Sequence, residues 1–316
     1  MAIIYGTNAS QTINGTSYGD TMYGYGGHDL MKGNGGNDLM YGGAGDDDIF
    51  GGQGYNTLYG GSGYDWFGMT ARSTSMSDDL IADFQFGYDR IDLRAWGVSD
   101  ISQVQALLGR DSYGDATLNA FYNGYNHRIT IENKAPTAFI GTDFVFNSAA
   151  PAKTVNGTNY GDVLFGGRSH DLLKGFGGND FLLGGFGNDD LFGGANNDKL
   201  FGGQGSDWLS GGSGSDIFIF RALSDSTPNS SRDRITDFQL DVDTIDLSAI
   251  DANALIAGNQ AFAFKGTAAF TAAGQVRFNH SGSDTIISVN TDNDAAAEMQ
   301  IALTGNKFLI RDDFIL

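Results

Sequence analysis

The chain has 316 residues and a formal charge of −20, with 38 acidic side chains against 18 basic ones, 48 glycines, three prolines and no cysteine. That length allows two domains of ordinary size, and the absence of cysteine excludes a disulfide scaffold. The charge excludes a footprint on nucleic acid or on an anionic membrane surface, since both need clustered Lys and Arg, and it points to cations as partners.

The opening residues, Met1-Ala2-Ile3-Ile4-Tyr5-Gly6, lack the basic and long apolar regions of a cleavable signal peptide. No stretch approaches the roughly 18 consecutive apolar residues of a membrane span. A nine-residue period then takes over. Gly24, Gly33, Gly42, Gly51 and Gly60 open successive blocks, and in that register the sixth positions are Asp20, Asp29, Asp38, Asp47, Asn56 and Asp65. The eighth positions are Met22, Met31, Met40, Ile49, Leu58 and Phe67. Each block reads as a six-residue Gly-Gly-x-Gly-x-Asp turn and a three-residue strand. The middle strand residue points inward because side chains alternate across a strand, and glycine permits turn backbone that a β-carbon obstructs. At the ninth position, Tyr23, Tyr41 and Tyr59 are spaced to form a ladder on one face.

Behind this array stand Asp79-Leu80-Ile81-Ala82-Asp83-Phe84 and Asp89-Arg90-Ile91-Asp92-Leu93. Residues 99–109 start on Ser99, carry spaced apolar residues and end on Gly109, which predicts a short helix. Tyr113, Tyr122 and Tyr125 follow, beside Asn123 and Asn126. The small residues and proline of Asn147-Ser148-Ala149-Ala150-Pro151 read as a linker, dividing the chain into modules 1–150 and 151–316.

The second array has sixth positions Asp162, Asp171, Asp180, Asp189, Asp198, Asp207 and Asp216, with Leu164, Leu173, Leu182, Leu191, Leu200, Leu209 and Phe218 at the eighth. Its flank repeats the earlier one as Asp233-Arg234-Ile235-Thr236-Asp237-Phe238 and Asp243-Thr244-Ile245-Asp246-Leu247, and residues 248–258, from Ser248 to Gly258, again read as a short helix. Antiparallel strands are expected around both helices, because the end of a stacked array otherwise exposes strand edges and core. Asn290-Thr291-Asp292-Asn293-Asp294, with Glu298 downstream, places oxygen ligands at alternate positions, somewhat like a calcium loop; lacking the usual glycine, it reads equally as a plain turn.

Two blocks make one coil of 18 residues. Coils stacked at the roughly 4.8 Å spacing of a parallel sheet put aspartates 18 apart on one edge, where bare carboxylates repel. Carboxylate and turn-carbonyl oxygens are the ligands of Ca²⁺, at about 2.3 to 2.6 Å, whereas zinc or iron calls for His or Cys. Pairs run from Asp20/Asp38 to Asp47/Asp65 and from Asp162/Asp180 to Asp198/Asp216, giving nine candidate sites whose ions would nearly offset the formal charge. Only Glu132 and Glu298 are glutamates, a bias toward the shorter carboxylate that net charge does not require. The alternative of solvated turns leaves that register unexplained. Asn56 removes one charge, so Asp38/Asn56 is expected to be the weakest site, and Ser169 and Asn196 replace the usual fourth glycine.

Runs such as Gly42-Gly43-Ala44-Gly45-Asp46-Asp47-Asp48-Ile49-Phe50 resemble the repeats-in-toxin (RTX) nonapeptide. The flanking motifs resemble the C-terminal domain of serralysin-type proteases. With Arg277-Phe278, Ile301-Ala302-Leu303 and Asp313-Phe314-Ile315-Leu316 they are also similar to the R-modules of secreted alginate epimerases. The resemblance implies an all-β chain of two tandem parallel β-rolls, each capped by a small antiparallel region with a short helix. It implies an uncleaved C-terminal signal for type I secretion machinery, bacterial export, and folding on calcium outside the cell, since extracellular calcium modules bind near 10⁻⁴ to 10⁻³ M. It offers Asp83, Asp89, Asp237 and Asp243 as ion ligands under the caps, or else as strand caps. It also implies an acidic exopolysaccharide or cell-surface glycan as ligand, stacked on Tyr23, Tyr41, Tyr59, Tyr122 and Tyr125, unless the ladder is core packed beneath the cap.

Catalysis is not expected. The four histidines, His28, His127, His170 and His280, form no His-Glu-x-x-His motif, and no nucleophile elbow or phosphate loop occurs. The expected function is a secreted calcium-binding, polysaccharide-binding protein. The alternatives are an accessory or targeting part of an epimerase-like or protease system, against which Met1 and the complete ending speak, and a structural calcium-binding matrix or surface-layer protein.

Overall fold

Each block has one apolar side chain to remove from water, and winding the blocks into coils does this for all of them at once. The structure, a computed structural model, describes all residues except 69–75, 97, 99–102, 105–106, 123–124, 140–142, 146–151, 254–255 and 257, and leaves out the side chains of residues 121, 122, 126 and 145. The chain folds as two units, Met1–Ser148 and Ala149–Leu316. The sequence-read linker over 147–151 lies outside the described residues.

In the first unit every coil gives one strand to each of two parallel sheets. Ile3–Tyr5, Thr21–Gly26, Leu39–Ala44, Gly54–Ser62 and Ser77–Ile81 form one; Thr12–Asn14, Leu30–Lys32, Asp48–Phe50, Trp66–Gly68 and Arg90–Asp92 form the other. The register between array coils is 18 residues, Met22 beside Met40 and Met31 beside Ile49. Met22, Met31, Met40, Ile49, Leu58 and Phe67 are all fully buried, each worth about 1.5–3 kcal/mol of transfer from water. Between strands the chain turns at positions such as Gly43, whose φ is +112°, and a β-carbon there would lie 2.3 Å from the carbonyl oxygen of Tyr25 in the preceding coil.

The cap extends the first sheet. Tyr125–Ile131 runs parallel to Ser77–Ile81 and antiparallel to Ala116–Tyr122, which pairs with Leu108–Arg110. Phe84, Phe139 and Phe144 close the end of the core, with successive ring centroids 5.7 and 5.6 Å apart.

The second unit repeats the plan with one more block. Its sheets run through Leu172–Gly177, Asp190–Ala195, Trp208–Ser213 and Asp233–Ile235, and through Val163–Gly167, Phe181–Phe186, Lys199–Gln204, Ile217–Ile219 and Thr244–Asp246. Its cap adds Met299–Thr304 parallel to Asp233–Ile235, followed by the antiparallel Asp284–Asn290 and Gln275–Ser281. Phe314–Ile315 pairs with Thr244–Asp246, so the chain end is the last strand of a sheet.

The fold is all-β, two parallel β-rolls with antiparallel caps, and the correction concerns the second of the two short helices. The described residues of 248–258 are turns and bends. The Asp251 carboxylate accepts the backbone N–H of Asn253 at 3.0 Å and of Gln260 at 3.3 Å, a local alternative with which helical bonding cannot coexist. Much of the helix expected over 99–109 falls outside the described residues; Gln103, Val104 and Leu107 are helical, and a strand begins at Leu108. Among the described residues no helix is long and apolar enough to cross a membrane.

Candidate metal centres

The turn that begins each block delivers its aspartate to the inner edge of the roll, and parallel stacking sets one above another. Oδ1 of each aspartate accepts the backbone N–H of the aspartate one coil earlier: Asp20 to Asp38 at 2.7 Å, Asp29 to Asp47 at 2.8 Å, Asp47 to Asp65 at 2.9 Å. In the second unit the same bond joins Asp162 to Asp180, Asp171 to Asp189 and Asp189 to Asp207, each at 2.7 Å, then Asp180 to Asp198 at 2.8 Å and Asp198 to Asp216 at 2.9 Å. Each roll thus carries two stacked columns of side-chain oxygens, carboxylates throughout except for the amide of Asn56, and nearly all excluded from solvent.

One oxygen is thereby used and the other is not. Oδ2 of Asp29, Asp38, Asp47 and Asp65, and of Asp180, Asp189, Asp198, Asp207 and Asp216, is buried with no hydrogen-bond partner. It presses on the glycine that opens its own block: a β-carbon on Gly193 would lie 2.4 Å from Oδ2 of Asp198. Burying an unpaired carboxylate costs several kcal/mol. Accordingly burial pushes these groups upward, Asp38, Asp47 and Asp216 to about 6, Asp65, Asp180, Asp198 and Asp207 to about 7, and Asp189 to about 8. An array of sealed, partnerless hard oxygens faced by glycine and no side chain fits a divalent cation with oxygen ligands, Ca²⁺ above all.

Three departures from the period matter. Oδ1 of Asn56 accepts the N–H of Asp38 at 2.9 Å while its amide nitrogen donates to Asp79 at 2.7 Å, so neither of its head-group atoms is left over. Asp20 and Asp162, at the open ends, have their second oxygen served by the N–H and hydroxyl of Thr16 and Thr158. Asn196 sits at φ 76° in place of glycine, whereas Ser169 is not among the described residues of positive φ.

At the cap ends the columns continue through residues outside the nine-residue register. Asp207 donates its N–H to Asp233, Asp216 to Asp243, and Asp65 to Asp89. Oδ2 of Asp233 is buried without a partner, and its carboxyl is pushed well up by burial and the neighbouring Asp207. Asp79 and Asp233 were not among the sequence-read candidates; their signal was the shared Asp at the head of each flanking motif. Asp89 and Asp243 spend both oxygens on N–H groups, the second on Gln85 and Gln239. Asp83 likewise takes Gly60 and Gly61, and Asp237 takes Gly211, Gly212 and the Ser210 hydroxyl. All four therefore have both oxygens engaged by hydrogen-bond donors, unlike the partnerless Oδ2 atoms of the columns. Asp292, Asp294 and Glu298 do converge, with one oxygen from each within 4.8 Å of the others. Loop N–H groups of Asp294, Ala296 and Thr291 already bond one oxygen of each.

The tyrosine ladder is a surface and not core. Tyr5, Tyr23, Tyr41 and Tyr59 stack with centroids 5.6, 5.2 and 4.8 Å apart, Tyr25 joins beside Tyr23, and the rings of the ladder are half-buried or exposed. Tyr5, 18 residues before Tyr23, extends the period that pointed to the ladder. Tyr125 is exposed on the cap hairpin, and the side chain of Tyr122 is not among those described. In the second unit the same sheet carries Lys174, Phe192 and Ser210 in register at those places, while Phe165, Leu183 and Phe201, which also fall at ninth positions, lie on the other sheet and are buried. His28 and His170 are exposed beside Asp46 and Asp190; His127 meets the Ser77 hydroxyl at 3.0 Å, but that pair is sealed within the sheet.

A family model described as Peptidase M10 serralysin C terminal matches residues 26–141 and 165–316, and one described as RTX calcium-binding nonapeptide repeat (4 copies) matches residues 5–40. No curated protein matches the chain. Among solved structures, the AlgE6R3 subunit of the Azotobacter vinelandii mannuronan C5-epimerase is similar at 27% identity over 52% of this chain and 78% of its own, with a TM-score of 0.33. The AlgE6R2 subunit follows at 24% identity, 47% of this chain, 94% of its own and a TM-score of 0.28. The extracellular lipase LipA of Serratia marcescens is similar at 16% identity over 99% of this chain but 40% of its own, with a TM-score of 0.22.

Proposed function

Since the chain belongs to the serralysin C-terminal family and carries RTX calcium-binding nonapeptide repeats, we propose that it is a secreted, non-catalytic protein whose two rolls fold around calcium outside the cell. The observation that carries this reading is the row of buried, partnerless Oδ2 atoms in the aspartate columns. Asp20, Asp29, Asp38, Asp47, Asn56 and Asp65 hold ions in the first roll with turn carbonyls, and Asp162, Asp171, Asp180, Asp189, Asp198, Asp207 and Asp216 do so in the second, about nine in all. Bound calcium supplies the positive charge that these columns lack. The chain's own part is to fix each carboxylate by the N–H one coil back, exclude water, and keep the facing position free of a side chain. Without the ion the columns repel, so binding free energy becomes folding free energy. An exported chain gains from this, because it stays threadable where calcium is scarce and folds where it is plentiful; the terminal Asp313-Phe314-Ile315-Leu316 is the proposed export signal. Circular dichroism across a calcium titration at pH 8 tests the reading: a cooperative gain of β signal supports it, and full β signal in chelator at that pH overturns it.

The second part of the proposal is a polysaccharide ligand, favoured by the exposed stack of Tyr5, Tyr23, Tyr41 and Tyr59. Such faces stack on sugar rings, with the hydroxyls free to hydrogen-bond. Sedimentation with an alginate-type polymer, with and without chelator, tests it. Calcium-dependent co-sedimentation that Tyr41→Ala abolishes supports the glycan reading, and no co-sedimentation leaves a purely structural calcium protein.

A further inference from the structure

The outer face of the second module carries a polar cavity of about 290 Å³ where the roll meets its cap. Its base crosses neighbouring strands in register, Trp208 beside Arg234, Arg234 beside Ala302, and Ala302 beside Ile286. Trp208 is 56% exposed, and among the described residues no ring or cation stacks on its indole. Arg234 is engaged, by Asp284 at 2.8 Å and more weakly by the Thr304 hydroxyl. Arg232 is not: its Nε donates to the backbone oxygen of Asn229 at 2.5 Å, which anchors the guanidinium, while its two terminal nitrogens have no acceptor among the described residues. In a chain of net charge −20, a guanidinium held in a concavity with its fork open is an anion receptor.

The first module shows what the same place looks like when closed. Asp79 occupies in its sheet the position of Asp233, so Arg232 corresponds to Asp78 and Trp208 to Thr57. There Arg128 grips Asp78 through both Nε and Nη2, so although Tyr55 stands exposed beside Asp78 no open charge accompanies it.

We propose that this cavity binds one acidic sugar residue of an anionic polysaccharide, with Trp208 stacked on the ring and Arg232 paired to the carboxylate. The cavity is at the small end of ligand sites, near ~300 Å³, and so takes one ring. The inference rests on the polysaccharide reading and gives the modules different tasks: ring stacking along the first-module tyrosines, charge recognition in the second.

Calorimetric titration of the calcium-loaded full chain with tetragalacturonate, neutral cellotetraose and inorganic sulfate tests this, using wild type, Arg232→Gln, Trp208→Ala and Tyr41→Ala, all checked for an unchanged calcium-induced dichroism change. Tetragalacturonate is expected to lose at least tenfold in affinity with Arg232→Gln and with Trp208→Ala, whereas any binding of cellotetraose ignores Arg232→Gln. Tetragalacturonate binding that falls only with Tyr41→Ala overturns the cavity and leaves the polysaccharide reading standing. Sulfate binding that needs Arg232 but not Trp208, with tetragalacturonate no tighter, makes it a bare oxyanion site and overturns the sugar assignment. If wild type co-sediments with polymer yet does not bind tetragalacturonate, the cavity proposal fails alone; if it does neither, the polysaccharide reading fails with it.

Discussion

The backbone N–H of Asp171 donates to Oδ1 of Asp189 at 2.7 Å, while Oδ2 of Asp189 lies buried with no partner. One half of the carboxylate therefore holds two coils together and the other half repels its neighbours. The two halves have opposite consequences for folding, and a substitution that alters only the second separates them.

Asp189→Asn is that substitution, since it keeps the acceptor for Asp171 and removes the charge. The calcium midpoint of folding is expected to rise about tenfold, the equivalent of ~1.4 kcal/mol. In chelator the sign reverses, because an amide costs less to bury than an unpaired carboxylate, and the variant should be at least as stable as wild type. Dichroism titrations with calcium at pH 8, and urea unfolding in chelator at about pH 6, where the chelated fold still persists, read the two effects. An unchanged midpoint would mean that Asp189 is no ligand.

Protons stand in for calcium when it is absent. Burial raises the folded-state values of Asp38, Asp47 and Asp216 to about 6, of Asp65, Asp180, Asp198 and Asp207 to about 7 and of Asp189 to about 8, against about 3.9 in an unfolded chain. The folded form then holds protons that the unfolded form has released, so its stability is fully present below about pH 4 and is lost as pH rises through about 8. Asp20 and Asp284 are held below their ordinary value by hydrogen bonds from Ala2 and Arg234, and act in the opposite sense only below about pH 4. In chelator the β signal should survive at pH 5 and disappear by pH 8, whereas calcium-loaded protein stays folded throughout. A chelated protein equally folded at both pH values contradicts the column chemistry.

The roll core and the columns were legible because one residue type recurs at one position: Met22, Met40 and Leu58 announce the inner face, and Asp180, Asp198 and Asp216 the edge. What lay outside that period was not legible. Asp233 closes the Asp207 column from 26 residues away, where the 18-residue spacing has already ended. Thr16 completes the shell of Asp20 from a position that glycine usually holds. Trp208 meets Arg234, and Arg234 meets Asp284, only through strand pairing across the cap, which no local pattern encodes. Residues 248–258 mimic a helix in spacing, and the Asp251 side chain decides otherwise.

Glycine at the head of a block is there for space. Gly193 is not in the left-handed region, yet a β-carbon would sit 2.4 Å from Oδ2 of Asp198 and 2.6 Å from the carbonyl oxygen of Gly211. Gly193→Ala is expected to cost about 3 kcal/mol by overpacking and to raise the calcium midpoint by displacing the free oxygen. Gly87, at φ +83° with nothing within 4 Å, is the comparison: Gly87→Ala pays only left-handed strain, about 1–2 kcal/mol, and moves the calcium midpoint by no more than that lost stability accounts for, and so by less than Gly193→Ala. Equal midpoints for the two variants would remove the steric argument.

Asn56 is the one break in the charge period, and restoring the charge tests the whole arrangement. Its amide nitrogen now donates to Asp79, whose carboxyl is pushed up to about 7 by burial. Asn56→Asp replaces that bond with two buried carboxylates face to face beneath Asp38. Without calcium the change should destabilise the first roll by about 3 kcal/mol, the cost of an uncompensated buried charge. With calcium it should do the reverse, tightening the Asp38 position and adding bound ion, because the new oxygen has no competing donor. Ion stoichiometry by elemental analysis, beside dichroism midpoints in calcium and in chelator, reads both. A variant that is weakened equally in the two conditions would show that the columns do not share cations between coils.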